Sequence, residues 1–97
     1  MNIKIREIIG GDAAISFDLG VKVRETYAQG DWQRDPITLD FSGVRNVTPS
    51  FLAQVASPIL AAVGADNWNR YLIFSGVPTT FDLAWKKVLD AARAKAS

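Results

Sequence analysis

The chain has 97 residues, 48% hydrophobic and 22% charged, and eleven Lys and Arg against ten Asp and Glu leave a net charge of +1. A chain of that length builds one core and no second domain, and its charge balance creates no field that would draw it to nucleic acid or an anionic membrane. It has no Cys and no His, which excludes disulfides, thiol nucleophiles, Cys-based zinc sites and Ser-His-Asp hydrolysis and leaves an enzyme only carboxylate, Lys or cofactor chemistry.

Asn2 to Ile9 alternates, with Ile3, Ile5 and Ile9 on one side and Lys4, Arg6 and Ile8 on the other. That period predicts a half-exposed strand. Gly10-Gly11-Asp12 then predicts a hairpin into a short second strand, Ala13 to Ile15. Lys4, Arg6 and Glu7 also interrupt any signal-peptide core, and the apolar-rich stretch Phe51 to Ala65 is too short to span a bilayer. Both features point to a cytoplasmic protein.

Ser16 reads as the N-cap of a helix to about Gln29, closed by Gly30, with Leu19, Val23 and Tyr27 as its apolar seam. Gly20 inside that helix costs about 1 kcal/mol against Ala and points to close packing against a neighbour. After the polar connector Asp31 to Asp35, Pro36 to Phe41 reads as a strand, and Val44 to Val47 as a loop or brief extension. Thr48 caps a second helix to Val63, with Pro49 at N1 and Val47 and Leu52 as a hydrophobic staple. Pro58 predicts a kink or break in it, and Gly64 a stop. Ala65 to Arg70 is turn-like, and Tyr71 to Phe74 predicts a strand covered on both faces. Thr79 caps the last helix with Asp82 at N3, and Phe81, Ala84, Trp85, Val88 and Ala92 line its apolar face.

The order β(β)αβαβα predicts an α/β fold: a single small domain over residues 1–97, with a mostly parallel sheet of about four strands and helices packed against it. Sites in such sheets lie beyond the strands' carboxyl ends, here Asp40 to Ser50 and Ser75 to Thr80. Neither segment is a phosphate-binding loop, since Ser42-Gly43 and Ser75-Gly76 carry one Gly each and no Gly-Lys-Ser/Thr follows. Ser50 falls at N2 of the second helix, where free N–H groups favour an anion or a phosphoryl group, although capping is the commoner use of such hydroxyls. Asp31, Asp35 and Asp40 read as turn-forming, solvated acids rather than a metal site. Trp32, Trp68 and Trp85 read as packing residues rather than a base-stacking platform. No cofactor or metal is expected.

The order of elements, with Leu39-Asp40-Phe41-Ser42-Gly43-Val44 leading into Val47-Thr48-Pro49-Ser50-Phe51-Leu52, resembles the STAS-like domains. These are relatives of bacterial anti-sigma factor antagonists and sulfate transporter tails. Ile5 to Ile9 followed by Gly10, and Ala14-Ile15-Ser16-Phe17 entering a helix, also look like that family, so the resemblance spans nearly the whole chain. In the antagonists the equivalent loop reads Asp-Ser-Ser/Thr-Gly, and its first serine is phosphorylated. Here Pro49 stands at that position, so either Ser50 or Thr48 takes over as phosphoacceptor or the domain has no phosphoswitch.

The resemblance implies a non-enzymatic regulatory module that docks a cytoplasmic protein partner, an ATP-binding anti-sigma-type protein with a histidine-kinase-like fold. The docking segment carried over to this chain is Val44 to Gln54, through Val44, Arg45, Asn46, Thr48, Pro49, Ser50, Phe51 and Gln54. The alternatives are a structural or homo-oligomeric component without a phosphoswitch and, on the residue inventory, less readily a small enzyme.

Overall fold

In the computed structural model, which describes residues 1–96, the chain runs in order through β1 (Asn2–Lys4), α1 (Ile5–Ile9), β2 (Ala13–Ala14), α2 (Phe17–Tyr27), β3 (Ile37–Asp40), β4 (Asn46–Val47) and α3 (Pro49–Val63). A 3-10 turn (Trp68–Arg70), β5 (Leu72–Ser75) and α4 (Phe81–Ala96) complete it. β1, β3 and β5 form a three-stranded parallel sheet in that order, with Ile3 opposite Leu39 and Leu39 opposite Phe74. β2 and β4 form a separate parallel pair, Ala13 opposite Asn46 and Ala14 opposite Val47. The α/β class and the parallel strands agree with the sequence reading. The single sheet of about four strands is corrected to three strands plus a two-stranded ladder.

The register sorts the main sheet into two faces. Ile3, Ile37, Leu39 and Leu72 point into the core, with half-buried Phe74 beside them. Asn2, Lys4, Thr38, Asp40, Ile73 and Ser75 share the opposite face, which is exposed or half-buried. Right-handed crossovers between strands added in one direction put every crossover helix on the same side, so the helices cover one face only. β5 is therefore not the doubly covered strand its apolar run suggests, and Ile73 is 52% exposed.

α2 and α3 pack closest. Gly20 makes this possible, because a Cβ there would lie 2.6 Å from the Phe51 carbonyl oxygen and 2.9 Å from Gln54 Cβ. One turn further on, Arg24 Nη1 donates to Gln54 Oε1 at 2.9 Å, and the buried Tyr27 hydroxyl donates to the Val55 carbonyl. Burial pushes the Tyr27 phenol well above its ordinary value, with the nearby Arg24 charge acting the other way. On the far side of α3, Trp68, Phe74, Phe81 and Trp85 form an aromatic cluster with centroids 4.7 to 6.3 Å apart.

Several local expectations shift. Ile5 to Ile9 is a helical turn rather than the second half of a strand; Ile5, Ile8 and Ile9 recur at i, i+3 and i+4. Gly10 closes it at φ 71°, its N–H bonded to the Arg6 carbonyl. The hairpin is absent, since β2 pairs with β4 and not with β1. Gly30 is not the helix stop; the chain leaves α2 through Ala28. Helix α3 runs unbroken through Pro58 and ends at Gly64, φ 83°. Helix α4 starts at Phe81, so Thr80 and not Thr79 precedes its first turn.

Candidate docking surface

The segment after β3 returns under the sheet's carboxyl end and enters α3 through Thr48. Thr48 is extended (φ −116°), and its hydroxyl accepts from Phe51 N–H at 3.3 Å while donating to the Ile15 carbonyl at 2.9 Å. One side chain thus caps α3 and ties it to the residues entering α2, where the Ser16 hydroxyl accepts from Leu19 N–H at 3.1 Å. On the other side, Val47 N–H donates to Thr80 Oγ1 at 3.3 Å, which brings the start of α4 alongside. Three helix N-termini therefore stand together at one end of the molecule.

That end exposes apolar side chains among polar ones. Six large hydrophobic side chains are exposed among the described residues, and four of them, Ile15, Phe17, Val77 and Leu83, belong to the segments entering α2 and α4. Leu83 is 64% exposed and Phe17 55%. The other two, Met1 and Ile73, lie outside these segments. Singly exposed apolar residues are ordinary, but four of them on two helix starts tied together through Thr48 and Thr80 make this end a candidate interaction surface.

The residues expected to dock divide into three sets. Arg45, Asn46 and Ser50 are exposed and Pro49 is half-buried; Arg45 reaches Asp12 at 3.7 Å. Among the described residues, the Ser50 hydroxyl, at N2 of α3, has no hydrogen-bond partner. Val44 and Phe51 are core residues, 5% and 0% exposed, so they support the segment and cannot touch a partner. Thr48 and Gln54 are half-buried, with the Thr48 hydroxyl and the Gln54 Oε1 engaged. Of the two candidate phosphoacceptors, only Ser50 offers a free, accessible hydroxyl. Phosphorylating Thr48 removes the proton it donates to the Ile15 carbonyl and so breaks the tie between α3 and the residues entering α2.

Sequence reasoning missed Ile15, Phe17, Val77 and Leu83. A signal was available: Phe17 falls outside the Leu19–Val23–Tyr27 seam, and Leu83 falls outside the Phe81–Ala84–Trp85–Val88 face. Asp31, Asp35 and Asp40 do not converge; they engage Arg34, the Met1 ammonium and Ser42 respectively. Among the described residues no group of three Asp or Glu could hold a metal ion, and no helix is long and apolar enough to cross a membrane. No protein-family model matches the chain, and no curated protein or solved structure matches it either.

Proposed function

We propose that the chain is a non-enzymatic, STAS-like protein-interaction module that docks a cytoplasmic regulatory partner over the N-termini of α2, α3 and α4. The observation that carries this reading is the gathering of exposed Ile15, Phe17, Val77 and Leu83 around a rigid helix start bearing a free Ser50 hydroxyl. Apolar anchors with a polar rim of Arg45, Asn46 and Ser50 are the composition of a protein interface. The partner class is the one implied by the resemblance, an ATP-binding anti-sigma-type protein. A phosphoryl group on Ser50 adds about −1.5 to −2 charges at a helix N-terminus that tolerates them, next to an apolar patch whose docking they oppose.

The test is affinity capture from the native host with wild type, Ser50→Ala, Ser50→Asp and Phe17→Asp as baits. Wild type and Ser50→Ala are expected to retain an ATP-binding kinase-like protein that Ser50→Asp and Phe17→Asp lose. Retention by all four baits refutes the surface. Loss with Phe17→Asp alone leaves a constitutive adaptor without a switch.

A second reading, a homo-oligomeric component, draws on the open groove of about 400 Å³ between α3 and α4, walled by Ala53, Leu60, Ala61, Val88, Ala91 and Ala92. A strict monomer in sedimentation at high concentration removes it.

A further inference from the structure

A second feature at the carboxyl end of the sheet is lined only by charged and hydroxyl residues. A cleft of about 420 Å³ opens beside the ends of β1 and β3, lined by Lys4, Arg6, Glu7, Asp40 and Ser42. Lys4, Arg6 and Glu7 take part in none of the ion pairs of the described residues. Two cations and two carboxylates thus face one cleft with no salt bridge joining them.

The cleft's walls depend on two bare glycines. A Cβ on Gly43 would stand 2.8 Å from Arg6 Nη1 and 2.9 Å from its Cδ, so glycine lets the guanidinium lie against the turn after β3. A Cβ on Gly76 would stand 2.6 Å from Ser42 Oγ and 2.9 Å from Ser42 N, so glycine also lets the turn after β5 close on Ser42. Both glycines have positive φ, 83° and 61°. Ser42 is further fixed by its N–H bond to Asp40 Oδ1 at 2.9 Å. The Ser42 hydroxyl and N–H hold the Asp40 carboxyl below its usual range, with Lys4 adding to the effect.

We infer that this cleft binds a small phosphorylated polyol, with the phosphoryl group between Lys4 and Arg6 and ligand hydroxyls donating to Asp40 and Glu7. Arg and Lys are the side chains that recognise phosphoryl oxygens, and ionised carboxylates accept from hydroxyl groups. The position, beyond the carboxyl ends of parallel strands, is where open α/β sheets place ligands. No aromatic residue lines the cleft, so it offers no platform for a nucleobase, and its charged groups stand on aliphatic stems that suit the carbon skeleton of a polyol. The site is independent of the docking surface and stands or falls without it.

The experiment is a two-dimensional amide NMR titration with glucose 6-phosphate, inorganic phosphate and glucose. Glucose 6-phosphate is expected to give saturable shifts centred on Lys4, Arg6, Glu7, Asp40 and Ser42, with phosphate weaker and glucose silent. Arg6→Gln weakens glucose 6-phosphate about tenfold, the worth of a charge-assisted hydrogen bond. Asp40→Asn weakens glucose 6-phosphate but not inorganic phosphate, and a dispersed spectrum shows that each variant is folded. Equal affinity for phosphate and glucose 6-phosphate means an adventitious anion only and overturns the inference. So does the absence of saturable shifts at these residues.

Discussion

Gly20→Ala tests the packing of the whole helix layer. In an isolated helix the change gains about 1 kcal/mol, because Ala loses less backbone entropy. In this protein the new methyl group meets Phe51 O at 2.6 Å and Gln54 Cβ at 2.9 Å, well inside the roughly 3.5–4.0 Å optimum for nonbonded carbon atoms. A carbonyl oxygen within α3 cannot rotate away, so α2 must back off and loosen the Arg24–Gln54 and Tyr27–Val55 bonds. Overpacking of this kind costs about 1–3 kcal/mol, and the upper half of that range applies against backbone. After the propensity gain the net loss is about 1–2 kcal/mol, a fall in Tm of about 5–15 °C for a domain this size. The assay is thermal and urea unfolding by circular dichroism, with Gly11→Ala as control. Nothing lies within 4 Å of a Cβ at Gly11, and that variant is expected to hold or slightly gain stability. Gly20→Ala unfolding at or above the wild-type temperature refutes the close approach of α2 to α3.

Tyr27→Phe removes a buried hydrogen bond and is expected to cost about 1 kcal/mol at neutral pH, read from urea midpoints. Because the folded pKa of Tyr27 is raised, its stabilising effect is complete below the unfolded value of about 10 and is lost as pH climbs above it. Wild type should therefore weaken more steeply than Tyr27→Phe in that alkaline range, and parallel profiles would count against a buried phenol. Thr48→Ala loses both the cap on Phe51 N–H and the tie to Ile15, a destabilisation of about 1–2 kcal/mol by chemical denaturation. Ser42→Ala removes a hydroxyl donor from Asp40, so the Asp40 carboxyl, followed by NMR titration, should move up toward its ordinary value.

The elements that local chemistry specifies were the ones legible in the sequence. Ser16 and Thr48 announced their helices as side-chain caps, and Gly20 announced a close neighbour because nothing else explains glycine inside a helix. The misreadings share a cause. Ile3, Ile5 and Ile9 fit a two-residue period while Ile5, Ile8 and Ile9 fit a helical one, and the left-handed Gly10 closes the helical turn. Ala13-Ala14 carries no mark of its partner, because a parallel ladder is closed by a distant strand and not by a turn. Tyr71 to Phe74 is apolar at every position, so its periodicity could not show that helices cover one face only. The start of α3 was legible through its Thr48 cap, whereas Val44–Gln54 entered as a docking segment only through the family resemblance, and the exposed apolar residues beside it belong to two other helix starts that only the topology brings alongside.

The ladders also set the order in which this chain can acquire structure. Ile3 meets Leu39, Ala14 meets Val47 and Leu39 meets Phe74, each across a full helix of intervening chain. Among the described residues every strand pairing is parallel, so no hairpin nucleates a sheet, and loop-closure entropy opposes each pairing until a crossover helix has docked. During synthesis β1 can take its place in the ladder only after β3 has emerged. The central strand, flanked on both sides, is the event on which the rest depends. Substitutions at Ile37 or Leu39 should slow refolding itself, whereas changes in the outer half of α4 should mainly hasten unfolding.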